Sequence, residues 1–383
     1  MRILQILNTL GAGGAEQYVA QLSSYLTEQG DDVVVVASEP FTISGRFPSS
    51  AKLVSMELHP GYGKPAYRYF IKILPNIMSL YRLIRREKIQ VVHTHLAASA
   101  LPAWIAAKAA GVPVVHSKMH TEAIASGFER VLFASPLPRF LVSRFLAFSV
   151  YATVEIKQIW RANEDRIMHS SIGVDAAFYD PAHFPEHTAR SLFSLPENTL
   201  VIGVLARLFP EKNVDLVMAS FAQMKNRNAV LLIGGDGPER ESLERMARDM
   251  GVADRACFLG QQADPRPVYA AADVVMQTTR GPNMGMMALE ALSMGTPLLI
   301  AARDDDEIEM AKDTLGGYDI GWIVSADPVA MGQVLDELAS DRKQLKEKRQ
   351  MARHYVLECH DRRHAQAELR KAYQQLVEPS TLS

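Results

Sequence analysis

Residues Asp180–Leu208 read DPAHFPEHTARSLFSLPENTLVIGVLARL, a turn-rich stretch that gives way to a short apolar, β-branched run. That run restarts a rhythm already seen upstream. Before it come RILQIL, a helical stretch through EQYVAQLSSYLTEQG and DDVVVVAS, then IQVVHTH, a second helical stretch through SALPAWIAAKAAG, and VPVVHS. After it come AVLLIGGDG, ACFLG, DVVMQT and PLLIAA, each separated by a helical segment. Short strands alternating with amphipathic helices predict parallel sheets covered on both faces. Two such sheets, divided near residue 185, fit the interruption better than one. The expected architecture is α/β, with two doubly wound domains facing across a cleft and ligands at the carboxyl ends of the strands. The domains are expected over 1–184 and 185–355. A terminal helix over 356–383, rich in charge around spaced Leu, Val and Tyr, is expected to pack back toward the first domain.

The 383 residues are enough for two ordinary cores, so no disulfide or structural metal is needed. A formal charge of −2 exerts no global pull on nucleic acid. The two cysteines, Cys257 and Cys359, are far apart and lack ligand spacing, which points to a reducing compartment. MRILQIL runs straight into a glycine loop without the regions of a signal peptide, so a cytoplasmic location is expected. The best uncharged apolar run, from Leu96 to Ala107, falls short of the ~18 residues a membrane span needs.

Several loops follow strands where an anion could sit. GAGGAEQYV (Gly11–Val19) opens a helix whose first N–H groups can face an anion, although a plain tight turn explains the glycines equally well. Glu16 could cap that helix at its first turn. His93, His95, His116 and His120 lie at strand ends, within reach of a ligand or as hydrogen-bonded structural groups; no acids at ligand spacing favour a metal. In LARLFPEKN, Arg207 and Lys212 are five residues apart past a strand and can converge on one anionic group, a layout that a diphosphate matches. GGDGP (Gly234–Pro238) is a second glycine turn, equally suited to loop geometry alone. In TTRGPNMGMMALEALSMGTP (Thr278–Pro297), Gly285 falls at a helix start, and Glu290 lies about 7.5 Å along the axis. Its carboxylate suits a ribose diol, unless it simply faces water.

Taken in order, these pieces resemble the retaining, nucleotide-sugar-dependent glycosyltransferases of family 4, which have the two-domain, Rossmann-like GT-B fold. GAGGAE is similar to the family's GGxE loop, VVHTHLAAS to its strand-end HxH, GVPVVHSKMH to the segment ending in its active-site histidine, and IGVD (Ile172–Asp175) to its NGVD. ARLFPEKN resembles the GRLxxEKG phosphate loop and GGDGP the GxGP turn. FLG with AADVV resembles the base-binding region, and GMMALEALSMGTPLL the donor helix. The resemblance implies that Arg207 and Lys212 neutralise the donor diphosphate while His120 approaches the donor sugar. It places Gly13, Gly14, Gly235, Asn283, Met284, Gly285, Met286 and Glu290 around the donor, and Glu16 and His95 toward the acceptor. It further implies a UDP- or GDP-sugar as substrate, no cofactor, no metal, and a glycan or lipid-linked acceptor.

The chain departs from the family in places. EGFG usually stands eight residues before the second glutamate; here Pro282, Asn283, Met284 and Gly285 occupy those positions. A sugar hydroxyl normally bound by the first acid must find another partner or go unpaired, at about 1–3 kcal/mol if buried. Ala206 and Asn213 replace glycines, and the acidic RDDDEIE (Arg303–Glu309) replaces a glycine pair. These changes leave open an unusual donor sugar, a binding protein without turnover and, from a third class, a sugar-nucleotide epimerase. Basic, aromatic segments at Tyr67–Lys88 and Phe128–Phe148 fit either helices facing the core or contact with the inner face of a membrane.

Overall fold

The computed structural model describes residues 1–10, 14–41, 43–58, 67–95, 97–118, 135, 137–196, 198–279 and 285–378. The chain forms two compact units, residues 1–172 with 363–383, and residues 173–362.

The first unit contains strands β1 (Arg2–Leu10), β2 (Asp32–Phe41), β3 (Lys52–Ser55), β4 (Val91–Thr94), β5 (Val114–Lys118), β6 (Arg144–Ala147) and β7 (Ile167–His169). Between them lie α1 (Gly14–Glu28), α2 (Tyr67–Arg86), α3 (Ala97–Ala110), α4 (Leu137–Leu141) and α5 (Val150–Gln158). The second unit contains α6 (Glu186–Leu192), β8 (Leu200–Leu205), α7 (Val214–Gln223), β9 (Ala229–Gly234), α8 (Arg240–Asp249), β10 (Ala256–Gly260) and α9 (Arg266–Ala271). It continues through β11 (Val274–Gln277), α10 (Met286–Ser293), β12 (Leu298–Ala302), α11 (Asp305–Leu315), β13 (Gly321–Ser325), α12 (Pro328–Ser340) and α13 (Arg342–Cys359). From residue 363 onward, α14 (Arg362–Val377) belongs to the first unit.

Every strand pairing is parallel. The first sheet runs β3-β2-β1-β4-β5-β6-β7 and the second β10-β9-β8-β11-β12-β13, so each reverses direction once, between β1 and β4 and between β8 and β11. The carboxyl ends at such a reversal are where doubly wound sheets bind ligands.

Alternation along β1 explains the packing of the first sheet. Leu4 and Ile6 join Val34, Val92, Trp104 and Phe145 on one face, while Ile3 and Leu7 join Val33, Val91, Leu369 and Tyr373 on the other. Leu369 and Tyr373 are four residues apart on α14, one helical turn, so the terminal helix puts a two-residue apolar edge into this second layer. The contact boundary falls between Ile172 and Gly173, ahead of the division expected at 184/185. Arg353 of α13 donates to the carbonyls of Ala176 and Tyr179, and Arg362 pairs with Asp175 at 2.9 Å. Those bonds attach residues 173–180 to the second unit.

Candidate functional site

At the reversal of the second sheet, the loop after β8 is shaped by its neighbour after β9. Ala206 N–H donates to Gly234 O, Leu208 N–H to Asp236 O, and Glu239 N–H to Leu208 O. This close approach excludes side chains: a Cβ on Gly235 would lie 1.8 Å from Ala206 O, and one on Gly237 2.3 Å from Leu208 O. Gly235 also has φ +138° and donates its N–H to Gly260 O. The lack of side chains at these two positions seats one loop on the other.

That seating presents two cations. Arg207 is 68% exposed, rests on the Phe209 ring and lies 3.7 Å from Glu211. An ion pair so long and so wet constrains it little. Lys212 is partly buried, and among the described residues it has no carboxylate partner. Burial lowers its pKa first and the nearby Arg207 charge lowers it further, opposed by the weaker pull of Glu211. Two like charges held close together, one of them partly desolvated, form a site whose free energy falls when an anion arrives.

The residue after Lys212 explains one departure. Asn213 has φ 47° and ψ 46°, the left-handed region that glycine adopts freely and asparagine tolerates. Its Nδ2 donates to Thr278 O at 3.2 Å, and Thr278 Oγ1 lies 2.9 Å from Lys212 O and 3.1 Å from Asn213 O. Arg303 Nη2 also donates to Thr278 O, at 3.1 Å, and Arg303 pairs with Glu307 at 3.0 Å. Thr278 therefore ties the loop after β8 to the ends of β11 and β12. The acidic run beyond Arg303 starts α11, with Asp304 accepting from Glu307 N–H at 2.8 Å.

Across the reversal, Gly285 is the extended N-cap of α10, and no side chain caps the helix. Glu290 does not face water. It is partly buried, and its Oε2 accepts from the Tyr269 hydroxyl at 2.8 Å. Burial raises its pKa, opposed by hydrogen bonding from Tyr269 and Tyr179. Met286, beside the N-cap, is partly buried. Pro282, Asn283 and Met284 lie outside the described residues.

At the corresponding edge of the first sheet, the histidines bond to neighbouring side chains, while Gln5 Nε2, Asn8 Oδ1 and His95 Nδ1 find no partner among the described residues. His93 bonds Tyr373 on one ring nitrogen and Ser117 on the other, at 2.5 and 2.7 Å. His95 is fully buried, with Nε2 2.5 Å from Gln5 Oε1 and its ring centred 3.9 Å from that of His93 at a tilt of 42°. His116 bonds Thr94 at 2.8 Å. Burial holds His95 and His116 down to about 3 and His93 well below its usual range. His95, assigned to the acceptor side, keeps Nδ1 unpaired among the described residues. Glu16 accepts from the Thr9 hydroxyl at 3.1 Å, and Gly14 begins α1 where an added Cβ would meet none of the described residues within 4 Å. Gly13 and His120 lie outside the described residues.

Sequence reasoning did not pick out Tyr269, Tyr179, Thr278 or Arg303. Only Asn213 carried a readable signal, a residue tolerant of left-handed backbone where the family has glycine.

Two doubly wound units, each with its loops at a strand reversal, are the pair that makes a GT-B glycosyltransferase. The chain belongs to the glycosyltransferases: residues 12–178 match Glycosyltransferase Family 4 and residues 187–355 match Glycosyl transferases group 1. It is 27% identical over 369 residues to a D-inositol 3-phosphate glycosyltransferase of Mycolicibacterium smegmatis, covering 86% of this chain and 82% of that protein. A protein of the same name from Stackebrandtia nassauensis is 28% identical over 76% of this chain and 72% of its own. Among solved structures, a glycosyltransferase from Rickettsia africae superposes with a TM-score of 0.84 at 16% identity, covering 99% of both chains. Anabaena HepE in complex with UDP and glucose gives 0.79 at 17% identity, over 98% of this chain and all of that one.

Proposed function

We propose that the protein transfers a sugar, with retention, from a UDP- or GDP-linked donor to a glycan or lipid-linked acceptor in the synthesis of cell-surface polysaccharide or glycolipid. A phosphorylated polyol of the kind named in the relatives is the competing acceptor class. One observation carries the reading: Arg207 and Lys212 lie close together past the end of β8, with Lys212 partly buried and unpaired among the described residues. In the proposed reaction the bond from the sugar's anomeric carbon to the diphosphate breaks, and its electron pair stays on the departing oxygen. The acceptor hydroxyl adds to the same face of the oxocarbenium-like centre and gives its proton to the leaving diphosphate. Arg207 and Lys212 supply positive charge where negative charge develops, so the reading requires no metal. Glu290 holds the ribose.

The lost first acid favours a second reading, a nucleotide-sugar-binding protein without turnover, because proline at 282 has neither a side-chain acceptor nor an N–H. Incubation with sugar nucleotides separates the classes. A transferase releases nucleoside diphosphate faster when an acceptor is present, an epimerase changes the sugar without one, and a binding protein is stabilised thermally with no product. Pro282→Glu sharpens the result: a gain with a common sugar marks decay of an ordinary site, and a loss marks a specialised one.

Peripheral contact with the inner face of the cytoplasmic membrane belongs to the same proposal. No helix among the described residues is long and apolar enough to cross a membrane. On α2, Leu80, Leu83 and Ile84 enter the core, while Ile71, Leu74, Met78 and Tyr81 are 68, 63, 47 and 39% exposed. The same helix contains no acid and ends on Arg82, Arg85 and Arg86. An apolar stripe with a basic end suits an anionic lipid surface. Flotation with phosphatidylglycerol vesicles is expected for the native chain and lost on replacing the three arginines by alanine; no flotation of the native chain removes membrane contact from the proposal.

A further inference from the structure

We infer that Tyr269 and Tyr179 are positioning residues for Glu290: their hydroxyls hold its carboxylate as an acceptor for a ribose diol, and so set the preference for ribonucleotide over deoxyribonucleotide. The inference rests on the proposed role of Glu290 in donor binding.

Glu290 is an expensive residue where it stands. Its neighbours on α10 are apolar, and Ala288, Leu289, Ala291 and Leu292 are buried around it. Among the described residues no lysine or arginine pairs with it, so its charge depends on phenol donors. A partly buried carboxylate without a cation destabilises a fold, and its retention points to a ligand. An ionised carboxylate has about four acceptor positions. The Tyr269 hydroxyl takes one at 2.8 Å, and the Tyr179 phenol is near enough to lower the carboxylate's pKa, so acceptor positions remain for a vicinal diol.

Both tyrosines are fastened to α10 itself. The Tyr269 carbonyl accepts from Thr296 Oγ1 at 2.7 Å, just beyond the end of α10. The Tyr179 carbonyl accepts from Ser293 Oγ, on the helix's last turn, and from Arg353, at 2.9 Å each. The phenol oxygens are thus held in register with the carboxylate. Packing alone does not explain the hydroxyls, since a phenylalanine ring fills the space of either residue.

The inference has a pH signature. The titratable groups that act on Glu290 are Tyr269 on α9 and Tyr179 on the segment before α6; the cations of α13 are engaged elsewhere, Arg349 with Glu186 and Arg353 with Asp180. Asp264 and Arg266, at the start of α9, act on Tyr179. Burial raises the Glu290 pKa and the phenols lower it, so removing a phenol raises it further. A protonated Glu290 loses acceptor capacity toward the diol. Ribose preference should therefore fail at a higher pH in a phenylalanine variant than in the native chain.

The test measures calorimetric affinity for whichever of UDP and GDP binds the native chain more tightly, and for its 2′,3′-dideoxy counterpart, in Tyr269→Phe, Tyr179→Phe and Glu290→Ala. Tyr269→Phe is expected to weaken the ribonucleotide by about three- to tenfold while moving the dideoxy compound less than about twofold. Tyr179→Phe should do the same more weakly, and both should shift the pH at which discrimination is lost upward. Thermal unfolding confirms that the variants fold. If Glu290→Ala abolishes discrimination but the phenylalanine variants weaken both nucleotides equally, or neither, the positioning role is overturned while the donor-binding reading stands. If Glu290→Ala leaves discrimination intact, both are overturned.

Discussion

The two sheets reverse direction at equivalent places, yet the chemistry at the two edges is opposite. At the ends of β4 and β5 in the first unit, His93, His95 and His116 are buried and bonded to Gln5, Ser117, Thr94 and Tyr373, and burial lowers their pKa values. Past the end of β8 in the second, Arg207 makes only a long, exposed contact with Glu211, and Lys212 has no ion-pair partner among the described residues. A shared topology therefore fixes where a ligand can sit and leaves its charge to the loops. The second edge displays, among its described residues, an excess of positive charge that an anion would neutralise.

Removing that excess should give the largest effect. Lys212→Ala is expected to lower kcat/KM by about 100- to 1000-fold and to weaken nucleoside-diphosphate binding with it, because the same charge serves donor and leaving group. Arg207→Ala should cost less, since its exposed guanidinium is screened by solvent. Steady-state kinetics with titration calorimetry decides the matter; native affinity in Lys212→Ala would erase the contrast between the edges.

The first edge should reveal itself through acid instead. Burial keeps His93, His95 and His116 neutral in the fold, while an unfolded chain protonates them near 6.5. Their folded pKa values are depressed, so the stability is complete above that value and lost as pH falls toward about 3. Each histidine should cost about 1.4 kcal/mol per pH unit across the window. The rings of Trp104 and Trp160 lie 5.1 and 5.4 Å from that of His116, so their fluorescence reports this unit. A urea midpoint that does not move between pH 7 and pH 5 would show that the imidazoles are already charged in the fold.

A smaller effect separates a charged side chain from the scaffold that aims it. Thr278→Val keeps the shape and removes the hydroxyl that reaches Lys212 O and Asn213 O. Nucleoside-diphosphate affinity should drop by about three- to tenfold. In a Lys212→Ala background the same substitution should do almost nothing, because there is no ammonium left to aim. Fully additive losses would reduce Thr278 to a stabiliser of the loop.

Legibility in the sequence follows the same divide. The parallel sheets were readable because strands buried on both faces must be continuously apolar, as LVIGVL and LLIAA are. The cations after β8 were readable because strand and loop are adjacent in sequence. What escaped depends on segments far apart in the chain. The Gln5 partner of His95 Nε2 comes from the pairing of β1 with β4, which the local sequence does not show. Glu290 looked exposed until Tyr179, from a stretch resembling a linker, closed on it. That stretch belongs to the second unit because Arg353, almost two hundred residues later, holds its carbonyls.

Asn213 gives the mildest test, and it isolates backbone from side chain. Its left-handed conformation strains any other side-chain-bearing residue by about 1–2 kcal/mol, whereas glycine adopts it freely. Asn213→Ala should therefore lose about 1–2 kcal/mol of unfolding free energy, from strain plus the lost bond to Thr278 O. Asn213→Gly removes the same bond and relieves the strain, so it should stay within about 0.5 kcal/mol of the native chain. The two variants lose the same hydrogen bonds, so the gap between them in urea unfolding measures conformation alone. If alanine proves as stable as glycine, the turn after Lys212 is not held left-handed, and the aim of the ammonium must come from Thr278.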